Sequence, residues 1–272
     1  MTTATMAPRS QAGGVRVTFP RVLYAEWIRL RSLRSTWITM LVTVAIVIGF
    51  GALSCWGYVS RPHGNGFEPE NVDAAFRSLV GTFFGQLAFG VLGVLVVSGE
   101  YSTGMIRATF TAVPRRLAVF GGRLAVFAAV TLVVLVPTAI VAFLVGQTIL
   151  ARDHVDTTLG APGVSRAVIG CALYLVAIGL LGMAFGWLVR HTAGAIASLV
   201  GVLLVLPLLV VFLPDPWPVR LQKWLPSGAG QSILHVHTDV DRFAPWTGFG
   251  VLMAYVAIVL AISAVLLRSR DV

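Results

Sequence analysis

Residues 167–189 read AVIGCALYLVAIGLLGMAFGWLV, an apolar stretch without a single charged side chain. A helix needs about 20 consecutive, mainly apolar residues to cross the hydrocarbon core of a bilayer. Each of the six runs of this kind is continuously apolar for nineteen or more residues, which predicts transmembrane helices and not the alternating strands of a β-barrel. The runs are 37–59, 79–97, 124–150, 167–189, 195–213 and 248–267.

The composition of the whole chain agrees with this pattern. Of 272 residues, 57% are hydrophobic and 11% are charged, whereas a soluble domain has roughly 25% charged residues. The net charge of +9 would suggest nucleic acid in a soluble chain, but on so apolar a sequence it favours a membrane surface. The sequence therefore predicts an all-α membrane protein with six transmembrane helices, and no nucleic-acid partner.

Basic residues near the span ends predict the orientation of the chain. Thirteen lie on the side of the two termini and seven on the opposite side, where eight acidic residues accompany them. Because the cytoplasmic side carries the excess of Lys and Arg, both termini are predicted to be cytoplasmic. The expected divisions are a flexible amino terminus (1–18), an interfacial helix (19–36), a six-span domain (37–267) and a tail (268–272).

An amphipathic pattern precedes the first span. Apolar residues recur there at steps of three or four, which predicts one helical stripe facing the acyl boundary, with arginines such as Arg29 toward anionic headgroups. Glu26 and Arg34 fall near that stripe, so each would need a polar partner. The alternative is a basic leader that only sets topology. The stripe consists of Phe19, Leu23, Trp27, Leu30, Leu33 and Trp37.

A second patterned segment, 98–116, follows the second span. Met105, Ile106, Phe110 and Val113 can line one face of a short helix, and Pro114 marks its expected end. Such a face suits docking into the groove of a partner. The alternative is a short interfacial helix that holds the connection to lipid.

Small residues at four-residue spacing occur in two of the spans. Gly81 and Gly85 form one pair, and Gly182 and Gly186 form the other. Glycines at this spacing allow close approach of helix backbones. The pairs are interpreted as packing within one bundle, or as a contact with a second copy or a related subunit.

The predicted spans contain no Asp, Glu, Lys, Arg or His. Ion-coupled carriers need such groups at depth, and a hydrolase needs a nucleophile with a base, so both classes are disfavoured. A phosphate-binding P-loop requires Gly-Lys before Ser or Thr, but the only lysine, Lys223, follows Gln222 and precedes Trp224. The sequence predicts no catalytic site and no bound cofactor in this chain.

One cluster has the residue types of a metal site. His235, His237, Asp239 and Asp241 alternate along the chain, so an extended segment would present them on one face. A solvated polar loop explains the same residues equally well. No metal is assigned, and the question stays open at the level of sequence.

The chain resembles the type-2 ABC transporter permeases, the membrane subunits of ATP-driven exporters. Three places carry the resemblance, together with the six spans. They are Ala25-Glu26-Trp27 to Leu33-Arg34-Ser35-Thr36; Gly99-Glu100-Tyr101 with Gly104-Met105-Ile106-Arg107 and Pro114-Arg115-Arg116; and Leu225-Pro226-Ser227 with Ala229-Gly230. Met105 departs from the pattern, because many such permeases have threonine there.

The resemblance implies an amino-terminal elbow helix that includes Trp27, Arg29 and Arg34. It also implies a cytoplasmic coupling helix between spans two and three, which receives the stroke of the ATPase. Short outer helices between Pro214 and Trp246 would help to gate the exit. The coupling residues implied are Glu100, Tyr101, Gly104, Met105, Ile106, Arg107, Phe110, Pro114, Arg115 and Arg116.

The function implied is that of an exporter permease in the bacterial cytoplasmic membrane. Its partners would be cytoplasmic ABC ATPase subunits, which bind ATP and Mg, a second permease copy or related permease, and membrane lipid. The apolar spans suggest a hydrophobic or amphipathic substrate. Two alternatives remain: a non-transporting immunity or scaffold protein, and an intramembrane enzyme.

Overall fold

The computed structural model describes residues 18–61, 73–102, 116–236 and 241–269. Residues 1–17 of the predicted flexible terminus and 270–272 of the predicted tail lie outside these ranges. The described residues form helices and connections, with no strand. The helices are α1 (Phe19–Ser32), α2 (Arg34–Val59), α3 (Ala74–Ser78), α4 (Thr82–Ser102), α5 (Arg116–Leu150), α6 (Val164–Val189), α7 (Thr192–Val200), α8 (Leu206–Val211), α9 (Trp217–Gln222), α10 (Pro226–Gln231) and α11 (Pro245–Ser269).

Six helical stretches of the described chain are long and apolar enough to cross a membrane. This confirms the six-span prediction, and the chain has the architecture of a multi-pass membrane protein. The stretches are Arg34–Val59, Thr82–Gly99, Leu117–Asp153, Val164–Val189, Thr192–Val211 and Pro245–Leu267.

The fifth span is one continuous path made of α7, a π-helical turn (Gly201–Val205) and α8. The N–H of Leu206 donates to the carbonyl of Gly201, five residues back. Pro207 follows at once, and a proline has no N–H and displaces the carbonyl one turn earlier. The wider π turn accommodates this local break, as such turns commonly do. Pro137, in contrast, lies inside α5 without interrupting it.

Helix α6 is the centre of the bundle. Of its most apolar 18 residues, 78% are buried, against 22% for the fifth and sixth spans. It packs against α4, α5, α7 and α11, while α2 packs against α4 and α5. The apolar stretch 167–189 therefore forms the helix around which the others are arranged.

Glycines set the close approach of α4 and α6. A Cβ atom at Gly182 would overlap the carbonyl oxygen of Gly90, and one at Gly93 would overlap that of Gly179. A Cβ at Gly186 would lie 3.0 Å from the Cβ of Val97. At Gly93 and Gly182 backbone meets backbone, which only glycine permits.

The other predicted pair, Gly81 and Gly85, faces α2. A Cβ at Gly85 would lie 2.8 Å from Cγ2 of Val47, and one at Gly81 would overlap the carbonyl oxygen of Val47. All four predicted glycines therefore meet neighbours within this chain. Gly81 was expected inside the second span, but it lies in the turn before α4, which begins at Thr82.

Helix α1 is separate from the first span. Leu33 has an extended backbone (φ −82°, ψ 99°) between α1 and α2, so residues 34–36, expected in the interfacial helix, belong to the span. The indole N–H of Trp37 donates to the carbonyl of Arg31 at 3.2 Å. This bond closes the corner between the two helices.

Short helices occupy the region between Pro214 and Trp246. After α9 comes α10, whose sequence PSGAGQ is largely buried, and a 3-10 turn (Ser232–Leu234). A Cβ at Gly230 would lie 2.6 Å from the ring of Tyr174. The small residues of α10 let it pack directly on α6 and α11.

Candidate functional site

Charged residues form long-range hydrogen bonds at two places in the structure. These places lie at opposite ends of the bundle. One end, here the α1 end, contains α1, the end of α4 and the start of α5. The other, here the α3 end, contains α3, the start of α6 and the segment 232–236. Because each span crosses once, the connections alternate between these ends, as the predicted topology requires.

A cluster of three charged residues, the Glu26 cluster (Glu26, Arg29 and Arg123), lies at the α1 end. Arg123 donates from Nε to Oε2 of Glu26 at 3.0 Å and from Nη2 to Oε1 at 3.2 Å. Arg29 donates from Nη1 to Oε2 of Glu26 at 3.2 Å and from Nη2 to the carbonyl of Val96 at 3.2 Å. These bonds tie α1 to both α4 and α5.

Two of the three charged side chains in the Glu26 cluster are buried. The side chains of Arg123 and Glu26 are 4% and 10% exposed. A bidentate arginine–carboxylate pair offsets the cost of removing both charges from water. The expectation that Glu26 needs a polar partner is confirmed. Arg34 is exposed on the first turn of α2, and its partner stays a prediction.

Arg123 also corrects the prediction that the spans hold no ionisable group. The third span was expected to begin at Leu124, but α5 begins at Arg116 and carries Arg123 inside the apolar stretch. Arg166 likewise lies in the first turn of α6. Both arginines lie near helix ends and have oxygen acceptors, Glu26 for the first and the carbonyl of His235 for the second.

The face of α1 that packs on the bundle is separate from most of the predicted stripe, which was expected to face lipid. Val22, Glu26 and Leu30, at steps of four, face the bundle, and a Cβ at Gly122 of α5 would lie 2.9 Å from Cγ1 of Val22. The ion pair and this close approach fix the rotation of the helix. Leu30 is the one fully buried member of the predicted stripe, and Leu23 is half-buried. The exposed members are Phe19, Trp27, Leu33 and Trp37.

Arg29 was expected to point toward headgroups, but it is half-buried in the Glu26 cluster. The exposed arginines of this region are Arg21, Arg31 and Arg34. The amphipathic segment is therefore helical, with its polar side divided between a buried ion-pair cluster and an exposed basic surface.

Most of the predicted coupling segment lies outside the described residues. Glu100 and Tyr101 are in the last turn of α4, and Arg116 is the first residue of α5; the description covers the backbone of these three and not their side chains. The residues outside the described ranges are Gly104, Met105, Ile106, Arg107, Phe110, Pro114 and Arg115. The two helices that flank these residues are both bonded to α1. Arg29 donates to the carbonyl of Val96 on α4, and Glu26 accepts from Arg123 on α5.

At the α3 end, Asp73 organises a second set of contacts. Its Oδ1 accepts the N–H of Phe76 at 2.9 Å, and its Oδ2 accepts the N–H of Val236 at 3.0 Å and lies 3.5 Å from Nδ1 of His235. The imidazole of His235 stacks on Phe76 at 3.8 Å. Asp73 thus caps α3 and holds the segment 232–236 against it.

These contacts also shift the acidity of Asp73. Burial alone would raise the pKa of this carboxyl, but the hydrogen bonds from His235, Phe76 and Val236, with the charge of His235, hold the pKa below its ordinary value. The carboxylate is thereby stabilised in the folded protein.

We expect Asp73→Asn to lower the free energy of unfolding by about 1–3 kcal/mol at neutral pH, because a neutral amide leaves buried donors poorly satisfied. Since the folded pKa is depressed, the stabilisation by Asp73 is complete above the ordinary pKa of about 4 and is lost as the pH falls through the folded value. Thermal unfolding in detergent between pH 7 and pH 3 should show an acid-dependent loss that is smaller in the variant than in the wild type.

The exposed Asp156 provides the matched control. Asp156→Asn should leave both the neutral stability and the acid-dependent loss as in the wild type. An equal acid response in Asp73→Asn and the wild type would contradict the role given to Asp73.

Two buried polar networks were missed in the sequence. Gln147 donates to the carbonyl of Ala74 at 3.2 Å and to Oγ of Ser78 at 2.9 Å, and accepts the N–H of Thr157 at 2.7 Å. Glutamines inside otherwise apolar runs were the available signal, because a buried amide must find partners. This network joins α3 to α5.

The second network crosses the bundle core. Tyr174 of α6 donates to Oε1 of Gln86 on α4 and accepts from Nε2 of Gln231 on α10 at 3.3 Å. Gln86 and Tyr174 are completely buried. Gln231 and His235 also line a cavity of about 600 Å³ at the α3 end, with Lys223, the residue after α9, on its wall. The network therefore connects this cavity to the core of the bundle.

The predicted metal cluster is only partly described, because His237 and Asp239 lie outside the described residues. His235 is engaged with Asp73 and contacts Arg242. Within 18–61, 73–102, 116–236 and 241–269, no group of three or more His, Cys, Asp or Glu residues could hold a metal ion.

Comparison with models of known protein families gives no match, and no curated protein matches the chain.

Proposed function

We propose that this chain is the permease subunit of an ATP-binding-cassette exporter, moving a hydrophobic or amphipathic substrate with ATP hydrolysed by a separate subunit. Six spanning helices and an amphipathic helix before the first support the proposal. The motifs around Gly99 and Pro114 support it independently through their resemblance to type-2 permeases. The excess of basic residues on the side of the termini favours a cytoplasmic position for the segment 99–116.

The Glu26 cluster is the observation that carries the proposal. A coupling segment must pass a displacement to several spans together. The end of α4 and the start of α5, which flank residues 103–115, are both bonded to α1. Arg29 forms the bond to α4, and Glu26 forms the bond to α5. A push on the connection would then move α1, α4 and α5 as one unit.

The packing at this end leaves room for such a movement. A cavity of about 430 Å³ lies between α1, α2 and α4, and it is bordered by Arg29, Thr36 and Gly99. The described end of α4 therefore borders a cavity on this side. Packed elements shift between discrete arrangements and do not deform continuously.

In the proposed cycle, two ATPase subunits close on ATP and Mg and displace the coupling segments of two permeases. The spans then expose the substrate path, which lies between this chain and a second copy or related permease, to the outer side. Only contacts that differ between the two states can bias the equilibrium. The proposed location is the bacterial cytoplasmic membrane, with both termini in the cytoplasm.

We expect Glu100→Ala and Arg107→Ala to uncouple the ATPase from the bundle, because both residues lie in the segment proposed to receive the stroke. The readout is the labelling rate of a cysteine introduced at the exposed Thr158, at the α3 end. In the assembled complex, ATP should change this rate for the parent Thr158→Cys protein but not for either variant, while phosphate release continues.

The exposed Arg220 gives the matched control, since Arg220→Ala removes one positive charge far from the α1 end. It should keep the response to ATP. A full response in both Glu100→Ala and Arg107→Ala would refute their role.

Purification of the tagged chain from its own membranes in mild detergent tests the class of function. An ATP-binding subunit that co-purifies, with ATP-dependent flux in vesicles, supports the permease. A partner bound without flux would point to the scaffold protein, and turnover by the chain alone would point to the enzyme.

A further inference from the structure

An apolar groove runs along the bundle surface at the α1 end, between α1 and α5. Its volume is about 680 Å³, and its lining is almost entirely apolar. Aromatic side chains line one end of the groove, here called its head. Small or branched side chains of α5 line the rest, here called its floor. They include Tyr24, Trp27, Trp37, Ala125, Ala129 and Val133.

The groove runs along a spanning helix, the direction that the acyl chain of a membrane lipid also takes. From Ala125 to Val133 its floor follows α5, a spanning helix, for about 12 Å. Its head lies beside α1, whose Tyr24 and Trp27 are of the type enriched at the membrane interface. The groove therefore leads from the interface into the hydrocarbon region.

Two arginines, Arg31 and Arg34, neighbour the groove-lining residues Trp27 and Trp37 along the chain. Trp37 bonds through its indole to the carbonyl of Arg31, and Arg34 precedes Trp37 by one helical turn. The side chains of Arg31 and Arg34 are exposed. Glu26, the only acidic residue of α1, does not line the groove and is bonded to Arg123.

From this geometry we propose that the groove binds one membrane phospholipid with an anionic headgroup. The acyl chain lies along Ala125, Ala129 and Val133, and the phosphate lies against Arg31 and Arg34. Apolar burial supplies the affinity for the chain, and the two arginines supply the preference for negative charge. This inference does not depend on the proposed function.

Native mass spectrometry of the full chain in mild detergent tests the site, with phosphatidylglycerol and phosphatidylcholine of identical acyl chains as probes. The wild type should retain phosphatidylglycerol in preference. The variant Arg31→Ala/Arg34→Ala should lose that preference by roughly ten-fold or more, since each arginine near an anionic surface contributes a factor of about five.

A second variant tests the groove itself. Ala129→Phe fills the floor and should reduce retention of both lipids, whereas Val141→Phe, on an exposed part of α5 outside the groove, should not. Unchanged thermal unfolding shows that the variants are folded.

Equal retention of the two lipids by the wild type would overturn the proposal. So would unchanged retention in Ala129→Phe, or a change of oligomeric state in Ala129→Phe without loss of lipid, which would make the groove an interface between copies.

Discussion

Gly182→Leu is expected to leave no stably folded bundle, the largest effect of any substitution considered. The first atom of the new side chain, its Cβ, would already overlap the backbone carbonyl of Gly90. No rotamer relieves a clash with backbone, so α4 and α6 would have to separate. Overpacking usually costs about 1–3 kcal/mol, and more where backbone must move.

The separation would affect the most buried helix of the chain. Since α6 contacts α4, α5, α7 and α11, its displacement would loosen the whole bundle. Size-exclusion profiles and thermal unfolding after detergent extraction measure the outcome. We expect aggregated protein, or a melting temperature too low to measure.

Gly250→Leu is the matched control, because a Cβ at Gly250 of α11 meets nothing within 4 Å. It should extract and melt like the wild type. A wild-type profile for Gly182→Leu would show that the α4–α6 contact is not as close as described.

Glu26→Ala is the second large effect expected. The substitution leaves the buried guanidinium of Arg123 without its carboxylate, and breaking a buried ion pair on one side costs about 3–5 kcal/mol. Denaturation in a detergent series should show the loss. Arg123→Leu, which instead leaves Glu26 with Arg29, should cost less.

A double-mutant cycle isolates the pair. If the two residues stabilise each other, Glu26→Leu/Arg123→Leu should be more stable than Glu26→Leu alone, because the buried guanidinium that Glu26 neutralises is removed with it. Additive losses would contradict a direct interaction.

The double variant also separates folding from coupling. It should be folded, yet α1 would no longer be bonded to α5. In the proposed complex it should hydrolyse ATP with a weaker response at Thr158→Cys. An undiminished response would remove the Glu26 cluster from the coupling role while leaving its structural role intact.

The sequence was sufficient for the number of spans, and their predicted ends agree with the structure to within several residues. Backbone groups in lipid must be paired within the chain, so each span of this chain crosses lipid as a helix and appears in the sequence as a continuous apolar run. The sequence did not predict correctly the helix ends that contain charged residues. Arg123 was placed outside the third span because its partner, Glu26, lies 97 residues earlier in the chain.

The rotation of α1 shows the same limit. Periodicity identified an amphipathic segment and the stripe expected to face lipid, but it did not identify the face that packs on the bundle. Contacts with Gly122 and Arg123 determine that face. The Gln86–Tyr174–Gln231 network was missed for a related reason, since three polar residues on three helices have no common signal in the sequence. The coupling helix remains a prediction.

Photo-crosslinking from the segment 99–116 tests the central claim most directly. A photo-reactive amino acid at Phe110, in the chain expressed in its own host, should form an adduct with an ATP-binding cytoplasmic protein on irradiation. The same group at Leu159, an exposed position of the α3 end, should not. An adduct with that protein only from Leu159, or labelling of Phe110→Cys by a membrane-impermeant reagent added outside intact cells, would contradict the account.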